Sequence, residues 1–255
     1  MRCSATNIPS IALVFLSVVL FSSSSEAFQG NDPDVMTFRE AKAFLKQSVH
    51  QPGEREAYCG CLITTQGKKW LADWESCGYV PRKNAERASR IEWEHVVPAS
   101  EFGRQRQCWQ QGGRKNCSAT DAIFVAMEGD PHNLVPVVGE VNGDRGNLKY
   151  GMLARDQGIR YGQCPSRVDF KASVFMPNPQ FRGNAARTYF YFSQRYGLTL
   201  SKQRQQLFAA WSKADPVDAK ECERNRRIAK KTGVSNPFVA QACEASSATL
   251  RVGTR

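Results

Sequence analysis

Arg90-Ile91-Glu92-Trp93-Glu94-His95-Val96-Val97-Pro98 is the stretch on which the reading of this chain turns. Residues 91–97 alternate well enough for a strand, which Pro98 stops because proline cannot extend a hydrogen-bonded ladder. The strand carries Glu94 directly beside His95, one of three histidines in the chain. Downstream lie Asp130-Pro131-His132-Asn133-Leu134 and Gly139-Glu140-Val141-Asn142-Gly143. An acid, an imidazole and later amide side chains are the raw material for metal-assisted phosphodiester hydrolysis. Consecutive side chains of an ideal strand point to opposite faces. Glu94 and His95 therefore share one site only where the strand ends or bulges, and Pro98 sets such an end.

The charge balance agrees with a phosphate-rich partner. Lys and Arg number 35 against 24 for Asp and Glu, a formal net charge of +11. Nucleic acid, anionic lipid and acidic polysaccharide all fit a chain of that sign, as does mere solubility, so charge alone does not choose among them. With 41% hydrophobic residues over 255 positions, the chain is long enough to bury one sizeable core. Residues 28–255 are read as a single domain.

Residues 1–27 read as an export signal. Arg2 precedes a nearly uninterrupted apolar run from Ile11 to Phe21, and Ser25-Glu26-Ala27 offers small residues before a cleavage point. That run is shorter than the roughly 20 residues a spanning helix needs, so no stable membrane insertion is expected. Cleavage after Ala27 removes Arg2, Glu26 and Cys3, which leaves the net charge unchanged and eight of the nine cysteines in place. An even number in an exported chain predicts four disulfides. Closeness in sequence pairs Cys108 with Cys117 and Cys222 with Cys243. Thiolate zinc binding through Cys59-Gly60-Cys61 is a competing reading, although the spacing is not that of a zinc knuckle.

Along the rest of the chain, Thr37 and Glu40 form a capping box for a helix whose Phe38, Ala41 and Leu45 share a face. Residues 58–84 predict short strands and turns tied by disulfides, and residues 101–120 a long loop rich in Arg, Gln and Gly. The C-terminal third is mainly helical. Tyr189, Phe192 and Tyr196 lie on one helix closed by Gly197, Ser201 begins a second, and Asp215-Pro216 a third that bears Arg224, Arg226, Arg227, Lys230 and Lys231. Tyr189 and Tyr191 are read as core residues, with base stacking as the alternative. The basic helix face is either simply solvated or an attractor of phosphate.

Phosphodiester hydrolysis needs an activated water, a cation against charge developing on the phosphoryl oxygens, and help for the leaving oxygen. An imidazole near neutral pKa takes the proton from water. A hard cation such as Mg²⁺ takes oxygen ligands and fills its other positions with water.

Four segments carry a resemblance to a known family: residues 90–99, the Cys108 to Cys117 stretch, His132-Asn133-Leu134-Val135-Pro136, and Gly139-Glu140-Val141-Asn142-Gly143-Asp144-Arg145. Together with the even cysteine count and Asn236-Pro237-Phe238, they make nearly the whole mature chain similar to the endonuclease I family of periplasmic and secreted bacterial nucleases. Pro131 departs from it, standing where leucine is common. The resemblance implies an α+β fold, with a ββα-metal (His-Me finger) core inside a mainly helical, disulfide-stabilised domain.

It further implies His95 as the general base and Glu94 and Asn142 as protein ligands of one Mg²⁺, for which Mn²⁺ or Ca²⁺ substitutes structurally. Arg114 grips the phosphate, with Lys115 beside it as a further substrate contact. The implied activity is sequence-nonspecific cleavage of DNA, with RNA left open, to give 5′-phosphate ends. Without the family, Asn142 reads as a turn residue, Glu94 as a surface acid and Arg114 as a coat on a loop. Glu92 and His132 receive no role, and Asn133 supports the site from behind. A monomer is expected. The alternative function is a non-catalytic extracellular binder of polyanions such as DNA or heparin.

Overall fold

In the computed structural model the description covers residues 35–252; the expected export segment, residues 1–27, lies outside the described residues. The chain opens with α1 (Phe38–Phe44), and its capping box is reciprocal. Thr37 Oγ1 accepts from the Glu40 amide at 3.3 Å, and Glu40 Oε2 accepts from the Thr37 amide at 2.8 Å. The helix relaxes into a π-turn over Leu45–Val49. Ala41, Leu45 and Val49 from this face bury against Leu134 and Ile228 in a small apolar cluster edged by Phe38 and Trp93.

Residues 58–84 form a hairpin, β1 (Leu62–Gln66) with β2 (Lys69–Asp73), then a 3₁₀ turn, and the short α2 (Ala85–Ala88) follows. Next comes β3 (Ile91–His95). Residues 99–128 hold α3 (Ala99–Gly103), α4 (Gln107–Gln110), α5 (Gly113–Thr120) and α6 (Ala122–Glu128) before the chain returns as β4 (Leu134–Val138) and turns at once into α7 (Gly139–Arg145). Strands β3 and β4 pair antiparallel, from Ile91 opposite Val138 to His95 opposite Leu134. Because β4 feeds α7 without a loop, the helix folds back over the strand pair. This strand–strand–helix unit positions the candidate site.

The loop expected over residues 101–120 is therefore corrected to helices. In α5 only Cys117 is buried, so the helix has no apolar stripe for sequence periodicity to register. A disulfide from Cys108 to Cys117 joins α4 to α5 instead.

Beyond α7, β5 (Lys149–Tyr150), β6 (Arg167–Asp169) and β7 (Val174–Met176) make a small mixed sheet in the order β5-β7-β6. Four helices complete the described chain: α8 (Arg182–Tyr196), α9 (Lys202–Ala214), α10 (Ala219–Thr232) and α11 (Pro237–Val252). Gly197 ends α8 at φ +70°, and Ser201 caps α9. The start of α10 differs from the expectation at Asp215-Pro216. Asp218 is the cap, accepting from the Glu221 amide at 2.7 Å, while Asp215 accepts from the Gly183 amide at 2.8 Å and so ties α9 to the start of α8.

The main core runs from Tyr58 to Trp211 and includes Phe102, Phe124, Val137, Phe175, Tyr189 and Phe208. Tyr189 and Tyr191 belong to it, their hydroxyls donating to Glu101 and Asp130, which leaves neither ring for base stacking. The basic face of α10 is partly consumed inside the molecule. Arg224 donates to the Pro131 and Leu134 carbonyls, and Arg226 and Arg227 pair with Glu223.

All eight described cysteines are oxidised. The two pairs expected from proximity form, and Cys59–Cys164 and Cys61–Cys77 complete the set. Thiolate zinc binding is overturned by this, since a disulfide sulfur has no thiolate to offer. The molecule is an α+β, disulfide-stabilised fold. Among the described residues no helix is long and apolar enough to cross a membrane.

Candidate active site

Alternation along β3 sends Glu92 and Glu94 to one face and Trp93 and His95 to the other. The acidic face meets α7 in two rungs one helical turn apart. Asn142 Nδ2 donates to Glu92 Oε2 at 2.9 Å, and Arg145 Nη1 pairs with Glu94 Oε1 at 2.9 Å. Glu94 also accepts from the Tyr58 hydroxyl at 2.6 Å, and that hydroxyl meets Tyr150 at 2.8 Å. Burial pushes the Glu94 carboxyl above its ordinary pKa, against the pull of Arg145 and Tyr58. Burial is the largest influence and disfavours charge on Arg145, but Glu94 together with Tyr150, Tyr58 and Tyr189 outweighs it and holds the guanidinium above its ordinary value. Arg145 is 1% exposed and also donates to the carbonyls of His95 and Val96 at 3.0 and 2.9 Å. It thereby fastens the end of β3 to α7.

His95 is the last paired residue of β3, so the strand ends at this point without a bulge. Its ring nitrogen Nε2 lies 2.8 Å from the Glu128 carbonyl oxygen. A carbonyl only accepts, so this nitrogen carries the proton and the other is left basic. The Phe38 ring packs over the imidazole at 4.6 Å between centroids. Burial drives the His95 pKa down to about 4, helped by the charges of Arg114, Arg145 and Lys42 and opposed by the Glu128 hydrogen bond. The ring is therefore neutral at pH 7 and able to take a proton.

The segment after His95 is held by Asn133, whose amide accepts from the Val97 N–H at 2.7 Å and donates to the Val97 carbonyl at 3.0 Å. His132 is likewise structural, bonded to the Val234 carbonyl at 3.0 Å.

Arg114, on α5, is brought to the same neighbourhood by Glu128. Its Nε donates to Glu128 Oε1 at 2.6 Å, while the side chain stays half exposed. Its guanidinium lies 5.7 Å from the centre of the Phe38 ring, and Lys42 Nζ lies 4.2 Å from it. Lys115 follows on α5 and is exposed. The structure thus gathers His95 and Arg114 around Glu128 and Phe38, and Glu94 and Asn142 along α7, with Arg145 bridging the two groups.

Residues of this arrangement without a site role in the sequence include Glu92, Glu128, Phe38, Tyr58 and Arg145. A signal existed for Glu92, which stands two residues before Glu94 on the same strand face. None existed for Glu128, whose backbone carbonyl and carboxylate do separate things. For a hard cation the donors at hand are the Asn142 carbonyl oxygen and the Glu94 carboxylate. No group of three or more His, Cys, Asp or Glu suited to a metal occurs among the described residues.

Comparison with known proteins gives the chain its family. The family model described as Endonuclease I matches residues 37–243. An extracellular deoxyribonuclease of Aeromonas hydrophila is 53% identical over 212 residues, 83% of this chain and 91% of that protein. A periplasmic deoxyribonuclease of the same organism is 49% identical over 235 residues, 92% and 97% of the two chains. Endonuclease-1 of Buchnera aphidicola subsp. Acyrthosiphon pisum is 41% identical over 225 residues, 88% and 89%. With the match spanning every element from α1 to α10 and all four disulfides, this chain belongs to the endonuclease I family.

Proposed function

We propose that this protein is an exported endonuclease, working in the periplasm or outside the cell, that hydrolyses phosphodiester bonds of DNA without regard to sequence and with RNA as a further substrate to test. The β3–β4–α7 unit is then its ββα-metal core, and residues 1–27 its export signal. The observation that carries the reading is the double use of Glu128. Its backbone carbonyl orients the His95 ring and its carboxylate holds Arg114, so one residue sets the base and the phosphate-gripping cation in a fixed relation.

In this reading the scissile phosphate lies at the end of β3. Neutral His95 takes a proton from water on the nitrogen that Glu128 leaves free. Arg114, relayed from Glu128 to substrate, presents its planar fork to the phosphate oxygens, where a lysine would be a point charge. Lys115 adds a backbone contact. Glu94 and Asn142 would hold one Mg²⁺, or Mn²⁺ or Ca²⁺ in its place. Their oxygen donors suit such an ion, and when bound it supplies positive charge against the transition state and the leaving 3′ oxygen. The products carry 5′-phosphates. Tyr58 and Arg145 hold Glu94 in place, and Phe38 and the packed strand end shield His95 from bulk water. The net charge of +11 draws in the polyanion and makes binding strongly salt-dependent. The protein acts as a monomer.

The test is plasmid nicking by the oxidised mature protein with and without Mg²⁺, beside His95→Ala, with DNA binding measured separately in chelator. Metal-dependent nicking should fall by roughly 10²–10⁴-fold in the variant, the usual worth of a general base, while binding persists. Binding by the wild type with no cleavage under Mg²⁺ would instead make this a polyanion-binding protein.

A further inference from the structure

We propose that Glu92 is a positioning residue for Asn142, determining which end of its amide faces the bound cation. The inference rests on the reading of Asn142 as a metal ligand. A primary amide has a donor end and an acceptor end of nearly equal size, and only the carbonyl oxygen ligates a hard cation. Something must therefore choose between the two orientations. Glu92 chooses because a carboxylate only accepts. The nitrogen must face it, as the 2.9 Å contact from Nδ2 shows, and among the described residues Oδ1 of Asn142 accepts no hydrogen bond.

Glu92 is itself fixed by α2. Arg87 Nε donates to Oε1 at 3.0 Å and Arg87 Nη2 to Oε2 at 2.7 Å. Arg87 on both oxygens and Asn142 on Oε2 hold the Glu92 carboxylate in place, with the Asn142 nitrogen facing it. Helix α7 is cut away to receive the pair. A Cβ on Gly139 would lie 2.9 Å from Glu92 Oε1 and 2.5 Å from the Arg87 carbonyl, and one on Gly143 would lie 2.2 Å from Arg87 Nη1. The glycines three residues before and one residue after Asn142 make the space in which Arg87 and Glu92 reach it. Such supporting hydrogen bonds commonly change metal affinity by roughly 10–100-fold.

The experiment is Mn²⁺ titration of the metal-free, DNA-free protein, read by the electron paramagnetic resonance of free Mn²⁺, with a thermal melt of each variant. Asn142→Ala should abolish the site, and Glu92→Gln should weaken Mn²⁺ roughly 10–100-fold, because a glutamine accepts either amide orientation. The double variant Glu92→Gln with Asn142→Asp reverses the polarity of the contact. The introduced glutamine donates to one oxygen of the introduced aspartate and leaves the other outward, so binding should return towards wild type.

Wild-type affinity in Glu92→Gln, with binding lost in Asn142→Ala, would overturn the inference. So would a folded double variant that regains its melting temperature but not its affinity, since Glu92 would then serve only the α2 ion pair. Should Glu92→Gln be too unstable to titrate, the double variant decides alone. Unchanged Mn²⁺ binding in Asn142→Ala is a separate result, which removes the ligand reading itself.

Discussion

Replacing Arg145 by methionine tests whether the end of β3 is held by one buried guanidinium. Methionine keeps much of the stem and removes the charge. The substitution leaves Glu94, only 5% exposed, without its cation, and breaking one side of a buried pair costs roughly 3–5 kcal/mol. The carbonyls of His95 and Val96 each lose a donor, at about 1–3 kcal/mol apiece where nothing replaces it. Protonation of Glu94 limits the total, because burial already raises its pKa. A net loss of about 4–6 kcal/mol follows, which in a chain of this size lowers the melting temperature by on the order of 10–20 °C. Thermal unfolding followed by circular dichroism at pH 7 without metal measures it. The double variant Arg145→Met with Glu94→Gln carries no uncompensated carboxylate and should recover at least about 2 kcal/mol relative to the sum of the single changes. A single-variant loss below about 1 kcal/mol, or strict additivity in the cycle, would refute the reasoning.

Three further outcomes are expected. Arg114→Ala should lower kcat/KM by roughly 10–100-fold, the worth of a charge-assisted phosphate contact, with a small fall in melting, because Arg114 is half exposed and the buried Glu128 keeps its hydrogen bond from Ser118. Arg114→Lys should restore only part of it, and full restoration would show that charge alone matters. His132 has its pKa pushed down to about 4 by burial, with Asp130 opposing and Arg224 and Arg195 assisting. Between the unfolded value near 6.5 and that folded value only the unfolded chain takes up the proton, so stability should fall as the pH falls, by about 2 kcal/mol at pH 5. Urea midpoints at pH 7 and 5 for wild type and His132→Gln check this; an equal drop in the variant would place the acid sensitivity elsewhere. Finally, Cys59–Cys164 spans 105 residues and Cys61–Cys77 spans 16. In the chain-entropy account, removing the longer link by paired serine substitutions should cost about 1.7 kcal/mol more than removing the shorter. Equal denaturation midpoints would argue against that account, and full activity with all eight thiols reduced would remove the dependence of the fold on oxidation.

What the sequence by itself determined was local. The Thr37–Glu40 box, the strand ended near Pro98, the cap at Ser201 and the glycine stop at 197 all rest on residues within a turn or two of each other, where propensity and hydrogen-bond chemistry act without the rest of the chain. Of the three shorter-range disulfides, closeness in sequence gave Cys108–Cys117 and Cys222–Cys243 but not Cys61–Cys77, although that link closes only 16 residues. His95, Glu94, Asn142 and Arg114 could be named from their motifs, though not their partners. Local rules failed where burial was the missing quantity. Helix α5 buries only Cys117 and so has no apolar face to betray it, and the third C-terminal helix begins at Asp218 because Asp215 is taken by Gly183. Only the tertiary structure decided that Glu94 would be caught between Tyr58 and Arg145, that Glu128 would serve His95 and Arg114 at once, and that Glu92 would face Asn142. Each contact joins residues tens of positions apart, except that between Arg114 and Glu128, and even that one needs the turn from α5 into α6. Such pairs exist only after the chain has closed, when a buried acid or amide must take whatever partner the packing brings to it.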